Sequence, residues 1–294
     1  MVAPTTRPYI SAPMTRRFTR LAWTAATFTY LLIILGAIVR ITGSGLGCGE
    51  HWPLCNGKLL PPLDLPTMIE YGHRLAAAAV SGLVAALAGY AWWLRQGAES
   101  PKGVPDGPGE RFAPDRTAYV ALGLLVVQVL LGAVTVKLSL PPWTVILHLG
   151  TAMLLLATLI VAAHGRPSAP PSRAGLTALT LGFVTILFGA LTANLGAASA
   201  CLGFPLCNGQ VVPAGNYLQH VHWVHRLLAY TLFGYVWWWA LHMRARGAWW
   251  VVGLVTLQVA VAAAMVLLGL PAPLQATHVA VGAAVWAALV LALL

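Results

Sequence analysis

Histidines, cysteines and arginines recur at matching positions in the two halves of this 294-residue chain. Their side chains are the types that bind metals, form disulfides and pair with carboxylates. The second copy follows the first in the same order along the chain. The corresponding pairs are Cys48 and Cys201, Cys55 and Cys207, His73 and His225, Arg74 and Arg226, Gln128 and Gln258, and His148 and His278. A unit that repeats reactive side chains in this way predicts a tandem repeat with a chemical role.

The elements that position these residues are predicted to be membrane helices. Hydrophobic residues make up 59% of the chain and charged residues 8%, and the mean hydropathy is +0.79. A helix needs about 20 apolar residues to cross a bilayer. Prolines at 141–142, 271 and 273 favour tight turns between neighbouring helices. Eight spanning helices are predicted, at about 21–40, 71–94, 117–138, 143–163, 174–195, 221–242, 248–270 and 272–294.

The charge distribution predicts the orientation. The chain has 17 Lys and Arg and a net charge of +10. Most of these cations fall on one side if the N-terminus is cytoplasmic, which agrees with the positive-inside rule. We therefore expect a multi-pass protein of the cell membrane with both termini cytoplasmic and the cysteine loops, 41–70 and 196–220, extracytoplasmic. Cations spread over membrane flanks argue against a nucleic-acid partner. The helix at 21–40 leads into the first repeat and is expected to be retained, not cleaved as a signal peptide.

The predicted fold class is an all-α integral membrane protein with two parallel repeats, each a four-helix bundle. An even number of helices per repeat makes both halves enter the bilayer from the same side. A four-helix bundle can hold a cofactor between its facing helices. The predicted organisation is a cytoplasmic tail at 1–20, a first bundle at 21–163, a linker at 164–174 and a second bundle at 175–294.

The four cysteines are expected to form one disulfide within each loop. An oxidising compartment permits disulfides on the extracytoplasmic side. Zinc is a weaker alternative, because the spacing within each pair is longer than in common structural zinc sites. The Cys48–Cys55 bond is either a structural link or a redox-active pair, and the sequence leaves both open.

The four repeated histidines are predicted to lie at one depth. Each falls near the start of a helix that runs inward from the cysteine-loop side. Ionisable residues inside a membrane are costly and indicate function. Two imidazoles from two helices suit the axial positions of haem iron, whereas a single such histidine is more often a packing residue.

Three further side chains bear on this chemistry. Arg74 and Arg226 could pair with haem carboxylates, although Arg74 could instead pair with Glu70 one turn earlier. Glu70 has His222 as its repeat partner, which suggests that the two sites differ and that Glu70 handles protons. The repeated glutamines, Gln128 and Gln258, could simply form hydrogen bonds between helices.

Together these residues resemble haem A synthase, a bacterial family with mitochondrial relatives. The likeness covers about residues 20–294. It is carried by the segment Arg40-Ile-Thr-Gly-Ser-Gly-Leu-Gly-Cys48, by Trp52-Pro-Leu-Cys55, by Glu70-x-x-His73-Arg74, and by His148, His225 and His278.

The resemblance implies an oxidoreductase acting on a CH group. It would oxidise the C8 methyl group of haem O to a formyl group, giving haem A for terminal oxidase assembly. His73 and His148 would flank the substrate iron, and Glu70 would be catalytic. His225 and His278 would hold an electron-transferring haem b, with no separate metal ion. Arg40 joins Arg74 and Arg226 as a candidate for pairing with the haem propionates. A haem O synthase and an electron partner are the expected protein partners.

Two other classes of function fit part of the sequence. A dihaem b-type electron-transfer protein would explain the four histidines but not the difference between Glu70 and His222. A membrane thiol oxidoreductase would explain the cysteines and leave the histidines without a role. The haems that copurify with the protein distinguish all three.

Overall fold

The computed structural model describes residues 12–59, 61–97, 114–165, 170–243 and 247–294. Those residues form eight α-helices and one short 3₁₀ helix, Ala197–Ala200. The helices are α1 (Ala12–Ile41), α2 (Leu65–Gly97), α3 (Pro114–Lys137), α4 (Pro142–His164), α5 (Arg173–Asn194), α6 (Tyr217–Met243), α7 (Ala248–Leu267) and α8 (Ala272–Leu291).

Seven of these helices are long and apolar enough to cross a membrane, so the chain is a multi-pass membrane protein. The eighth described helix, α6, is not in that set. Its length suffices, since 27 residues at about 1.5 Å each span about 40 Å. Its hydropathy is lowered by polar side chains on its first three turns, above all His222, His225 and Arg226.

Two helices, α1 and α2, begin more than four residues earlier than the sequence predicted. Helix α1 starts at Ala12, so part of the predicted 1–20 tail is helical, and Phe18 is fully buried. Helix α2 starts at Leu65, since Asp64 Oδ1 accepts a hydrogen bond from the backbone N–H of Thr67 at 3.1 Å. That bond holds the pKa of the Asp64 carboxyl below its ordinary value. Residue 70, predicted at the end of the loop, therefore lies inside α2.

Several predicted features lie outside the described residues. They are the first eleven residues of the tail, most of the polar segment 96–117, and residues 166–169 of the predicted linker.

The helices of each half pack around one another in chain order. In the first half α1 contacts α2 and α4, and α3 contacts the same two helices. In the second half α5 and α7 each contact both α6 and α8. Each half can therefore bury hydrophobic side chains between its own helices.

Helix α8 also connects the second half to the first. It packs against α1 and α4, where the indole N–H of Trp286 donates to the carbonyl of Met153 at 2.7 Å. The hydroxyl of Tyr30 donates to the carbonyl of Ala280 at 3.0 Å. One buried hydrophobic cluster includes residues of α1 to α4 together with α8, so the core crosses the predicted boundary at 164–174.

Four connections lie at the same end of the molecule, because successive helices run in opposite directions. They are the two disulfide loops, between α1 and α2 and between α5 and α6, and the turns α3–α4 and α7–α8. We call this the cysteine-loop end. The turns are short, as predicted, and Pro141 and Pro271 directly precede α4 and α8. The hydroxyl of Ser139 donates to Glu50 Oε1 at 2.8 Å, which links the α3–α4 turn to the first loop.

Candidate histidine site

The structure places the four repeated histidines at similar depths below the cysteine-loop end. His73 and His225 lie eight residues into their helices (65 to 73 and 217 to 225). His148 and His278 lie six residues in (142 to 148 and 272 to 278). At about 1.5 Å per residue these positions are about 12 Å and about 9 Å from the helix starts.

Each half brings its two histidines together. His73 and His148 are near enough to interact electrostatically, and so are His225 and His278. The first pair has one histidine on α2 and one on α4, and the second has one on α6 and one on α8.

Three of the histidine rings pack directly on glycines of neighbouring helices. A Cβ atom at Gly36 would lie 3.3 Å from His73 Nε2, and one at Gly189 would lie 2.9 Å from His225 Cε1. Any larger residue at Gly189 would therefore displace the ring. Gly36 and Gly189 belong to the sequence repeat, but the sequence alone did not connect them with the histidines.

Among the described residues, Nδ1 of His148 and Nδ1 of His225 are buried and make no hydrogen bond of good geometry, although the backbone of Thr185 lies close to the His225 ring. Buried polar atoms in proteins nearly always have a partner. An unpaired imidazole nitrogen in each half, next to a second histidine, fits a group that binds nitrogen ligands. Haem iron with two axial imidazoles is such a group, and the residues present fit it.

The repeated glutamines contact the histidines of α4 and α8. The amide nitrogen of Gln128 lies 3.1 Å from His148 Nε2, and that of Gln258 lies 3.1 Å from His278 Nδ1. The prediction that these glutamines form hydrogen bonds between helices is confirmed.

Both predicted disulfides are present, Cys48–Cys55 and Cys201–Cys207. An asparagine follows the second cysteine of each pair, with φ of 51° at Asn56 and 52° at Asn208. Asparagine tolerates this left-handed conformation better than most residues. Its side-chain N–H donates back across the loop, to the carbonyl of Gly47 in the first half and of Ala200 in the second. The repeated Cys-Asn-Gly was the sequence feature that indicated this turn in both loops.

In the first half, an ion pair attaches the disulfide loop to α2. Glu70 is 3% exposed, and its Oε2 accepts the backbone N–H of Cys48 at 2.7 Å. Its Oε1 accepts Nε and Nη2 of Arg74 at 3.1 and 2.5 Å. Arg74 Nη1 donates to the carbonyls of His51 and Leu54 at 2.7 and 2.8 Å. The Glu70–Arg74 pair, one of two alternatives from the sequence, is thus formed.

In the second half, a histidine and an arginine attach the loop to α6. His222 Nδ1 lies 3.1 Å from the carbonyl of Ala197, and Arg226 Nε donates to His222 Nε2 at 3.2 Å. Arg226 also donates to the carbonyls of Cys201 and Leu206, at 2.8 and 2.9 Å. We call each of these arrangements a loop clamp.

Arg226 therefore has a partner one turn earlier, as Arg74 does, although that partner is a histidine and not a carboxylate. A histidine nitrogen and backbone carbonyls hold its guanidinium group. Every residue has a backbone carbonyl, so the sequence could not show which carbonyls accept hydrogen bonds from Arg226.

Arg40 has a different environment from the other two arginines. It is half-buried where α1 meets α8, and its Nη2 lies 3.4 Å from Gln275 Oε1. In the part of the chain that the structure describes, no carboxylate pairs with it. Arg40 follows Gly36 by four residues, and Gln275 precedes His278 by three residues, so this contact links the helix that packs on His73 to the helix that carries His278. The role of Gln275 was missed from the sequence.

Known proteins similar to this chain show which family it belongs to. The family model COX15-CtaA, described as cytochrome oxidase assembly protein, matches residues 19–68 and 64–290. The chain is 34% identical to the heme A synthase of Symbiobacterium thermophilum over 262 residues, 80% of this chain and 81% of that protein. It is 31% identical to the heme A synthase of Alkalihalophilus pseudofirmus over 215 residues, 69% of this chain and 68% of that protein.

A third relative is much longer than this chain. The protoheme IX farnesyltransferase of Thermus thermophilus is 34% identical over 253 residues, which are 77% of this chain but 38% of that protein. The family model spans nearly all of the described helices, and the two heme A synthases align over more than two thirds of their own lengths. The chain therefore belongs to the COX15-CtaA family of cytochrome oxidase assembly proteins.

Proposed function

We propose that this protein is a haem A synthase. It oxidises the C8 methyl group of haem O to a formyl group and so supplies haem A for terminal oxidase assembly. The observation that carries the proposal is the pair of histidines in each half, at similar depth, in a chain whose relatives bear this name.

The two pairs have different roles. His73 and His148 bind the iron of the substrate haem O, and His225 and His278 bind a haem b, with no separate metal ion. Haem b supplies one-electron transfer when it is bound. Each pair belongs to one of two parallel four-helix repeats. The unpaired Nδ1 atoms of His148 and His225 and the glycines against the rings support this assignment.

Glu70 is the proton-transfer residue of the first site. Conversion of a methyl group to a formyl group is a four-electron oxidation that replaces two hydrogens on the carbon by one oxygen atom from water or dioxygen. The electrons pass to the electron-transfer partner or to dioxygen, and a nearby group has to take up and release the protons. Glu70 lies three residues before His73 on α2, and its carboxylate is held in place by Cys48 and Arg74. The second half has His222 at this position, which suits a site that transfers electrons only.

Arg40 is the first candidate for pairing with haem propionates. It is half-buried without a carboxylate partner among the described residues, and a guanidinium group pairs well with carboxylates. Arg74 and Arg226 would have to exchange their loop carbonyls for a propionate. Because Arg74 and Arg226 already bind the loops, they are weaker candidates for pairing with a propionate than Arg40.

The disulfides support an orientation with the cysteine-loop end outside the cytoplasm, because disulfides persist in oxidising compartments. In this orientation all eight helices, including α6, span the cell membrane and both termini are cytoplasmic. The protein partners are a haem O synthase and an electron-transfer partner. Similarity to part of a longer protein named protoheme IX farnesyltransferase supports the first of these.

Expression in a bacterium that makes haem O but no haem A tests this function. We expect haem A to appear in the extracted membrane haems when the protein is present, and not with His73→Ala. Haem O as the sole product, with the wild-type protein in the membrane and carrying haem b, would contradict the proposal and favour a dihaem electron-transfer protein.

A further inference from the structure

The two loop clamps have the same shape but different charge. In both, the residue three positions before the first histidine bonds to the loop and to the arginine that follows that histidine. The side chain at that position is Glu70 in the first half and His222 in the second. The remaining contacts of both arginines are to loop carbonyls.

The first clamp is electrically neutral. Glu70 accepts two hydrogen bonds from Arg74, in an ion pair that is largely buried. The carboxylate charge therefore compensates the guanidinium charge at the level of His73.

The second clamp carries an uncompensated positive charge. The carbonyl of Ala197 can only accept, so His222 Nδ1 donates to it. His222 Nε2 accepts from Arg226, so the imidazole has one proton and is neutral. His222 is 6% exposed and Arg226 is 7% exposed, which leaves the guanidinium charge in a poorly solvated place.

No other side chain of this half can supply the compensating charge. The chain has seven Asp and Glu, and all of them precede residue 116. They are Glu50, Asp64, Glu70, Glu99, Asp106, Glu110 and Asp115. No acidic side chain of the second half is therefore available to pair with Arg226.

We propose that His222 is a redox-tuning residue. His222 occupies the position that a carboxylate occupies in the first half. The positive charge of Arg226 beside His225 is therefore not balanced by this side chain, and it raises the reduction potential of haem b. Reduction of Fe(III) to Fe(II) adds one electron and lowers the charge of the haem by one, so a nearby cation stabilises the reduced form. This inference rests on the proposed assignment of haem b to His225 and His278.

The test is a spectroelectrochemical titration of the b-type absorption band in the purified holoprotein. His222→Glu recreates the neutral clamp of the first half. We expect it to favour Fe(III) at least tenfold relative to wild type, which is a fall of about 59 mV for one electron. His222→Gln exchanges one neutral side chain for another and is the matched control, with a shift of less than a third of that size.

A second pair of variants keeps the inference testable if His222→Glu fails to retain haem. Arg226→Lys and Arg226→Gln both remove the fork of bonds to the loop, but only the glutamine variant removes the charge. We expect the lysine variant to have the higher potential. Equal potentials within either pair would overturn the inference.

The failure of this inference is distinguishable from failure of the proposed function. Wild-type protein without a b-type spectrum, or a full b-type spectrum that persists in His225→Ala, would contradict the haem b assignment itself. A b-type spectrum that depends on His225 but whose potential does not respond to charge at 222 or 226 would overturn only the role of His222.

Discussion

At residue 70, one carboxylate has both a structural and a proposed chemical task. A carboxylate offers about four acceptor positions, and Glu70 accepts from the N–H of Cys48 and twice from Arg74. One position is thus left over for proton transfer. The same hydrogen bonds that attach the loop keep the carboxylate at a fixed place on α2, one turn before His73.

Glu70→Gln removes the chemical task and keeps part of the structural one. Glutamine has the same shape, and its single amide oxygen can accept either from the Cys48 N–H or from Arg74, but it cannot take up a proton. We expect normal haem b content, haem A production lowered on the order of 100-fold, and accumulation of haem O or its alcohol. Chromatography of extracted haems measures this.

The comparison variant is Arg74→Ala, which removes the clamp and leaves the carboxylate. Near-normal haem A from Glu70→Gln, together with loss of substrate haem from Arg74→Ala, would show that Glu70 only anchors Arg74.

The sequence predicted the residues of the site better than their contacts. The four histidines and the four cysteines carry a residue-type signature, and their repetition singled them out. The contacts of Arg226 with loop carbonyls and the packing of histidines on glycines depend on backbone positions. Backbone positions cannot be inferred from residue types.

At the scale of elements, each disulfide loop is attached to the helix that follows it by a clamp in which one arginine makes several of the bonds. Arg74 binds the first loop and Arg226 the second, through carbonyls that lie next to or within the disulfide ring. The two loops should therefore respond independently when either arginine is changed.

Arg74→Gln should speed reduction of Cys48–Cys55 by a membrane-impermeant phosphine and leave Cys201–Cys207 unchanged. Arg226→Gln should do the reverse, so each variant controls for the other. Loss of hydrogen bonds to a charged group costs about 1.5 kcal/mol, which corresponds to roughly tenfold faster local opening. Mass spectrometry after alkylation measures both rates. Equal rates for both loops in both variants would contradict the clamp.

The sequence also predicted the number and order of helices, because long apolar runs leave little choice in a bilayer. It misplaced the starts of α1 and α2, because polar residues at helix ends resemble loops. Helix α6 shows the converse effect. Its histidines and Arg226 lower its hydropathy, although the helix itself is formed.

At the scale of the whole molecule, the repeat does not predict how its two copies dock. Trp286 follows His278 by eight residues, and its repeat partner, eight residues after His148, is Leu156. Of these two side chains only the tryptophan indole has an N–H, and this N–H donates to the backbone carbonyl of Met153 in the other half. The contact between halves is therefore built from positions where the copies differ.

Trp286→Phe should destabilise the whole protein without changing the haem sites. It leaves the buried carbonyl of Met153 without its donor, at a cost of about 1–3 kcal/mol. We expect a lower Tm with an unchanged b-type spectrum, measured on detergent-purified protein. Trp250→Phe is the control, because Trp250 is 79% exposed. A Tm equal to that of wild type would show that the bond between the halves contributes nothing.

Haem extraction from the purified wild-type protein, produced in cells that make haem O, tests most directly whether the two histidine pairs bind different haems. We expect haem b together with haem O or haem A, in roughly equal amounts, one for each histidine pair. Haem b alone would contradict the claim that one site takes a substrate. Absence of any haem would contradict the assignment of all four histidines.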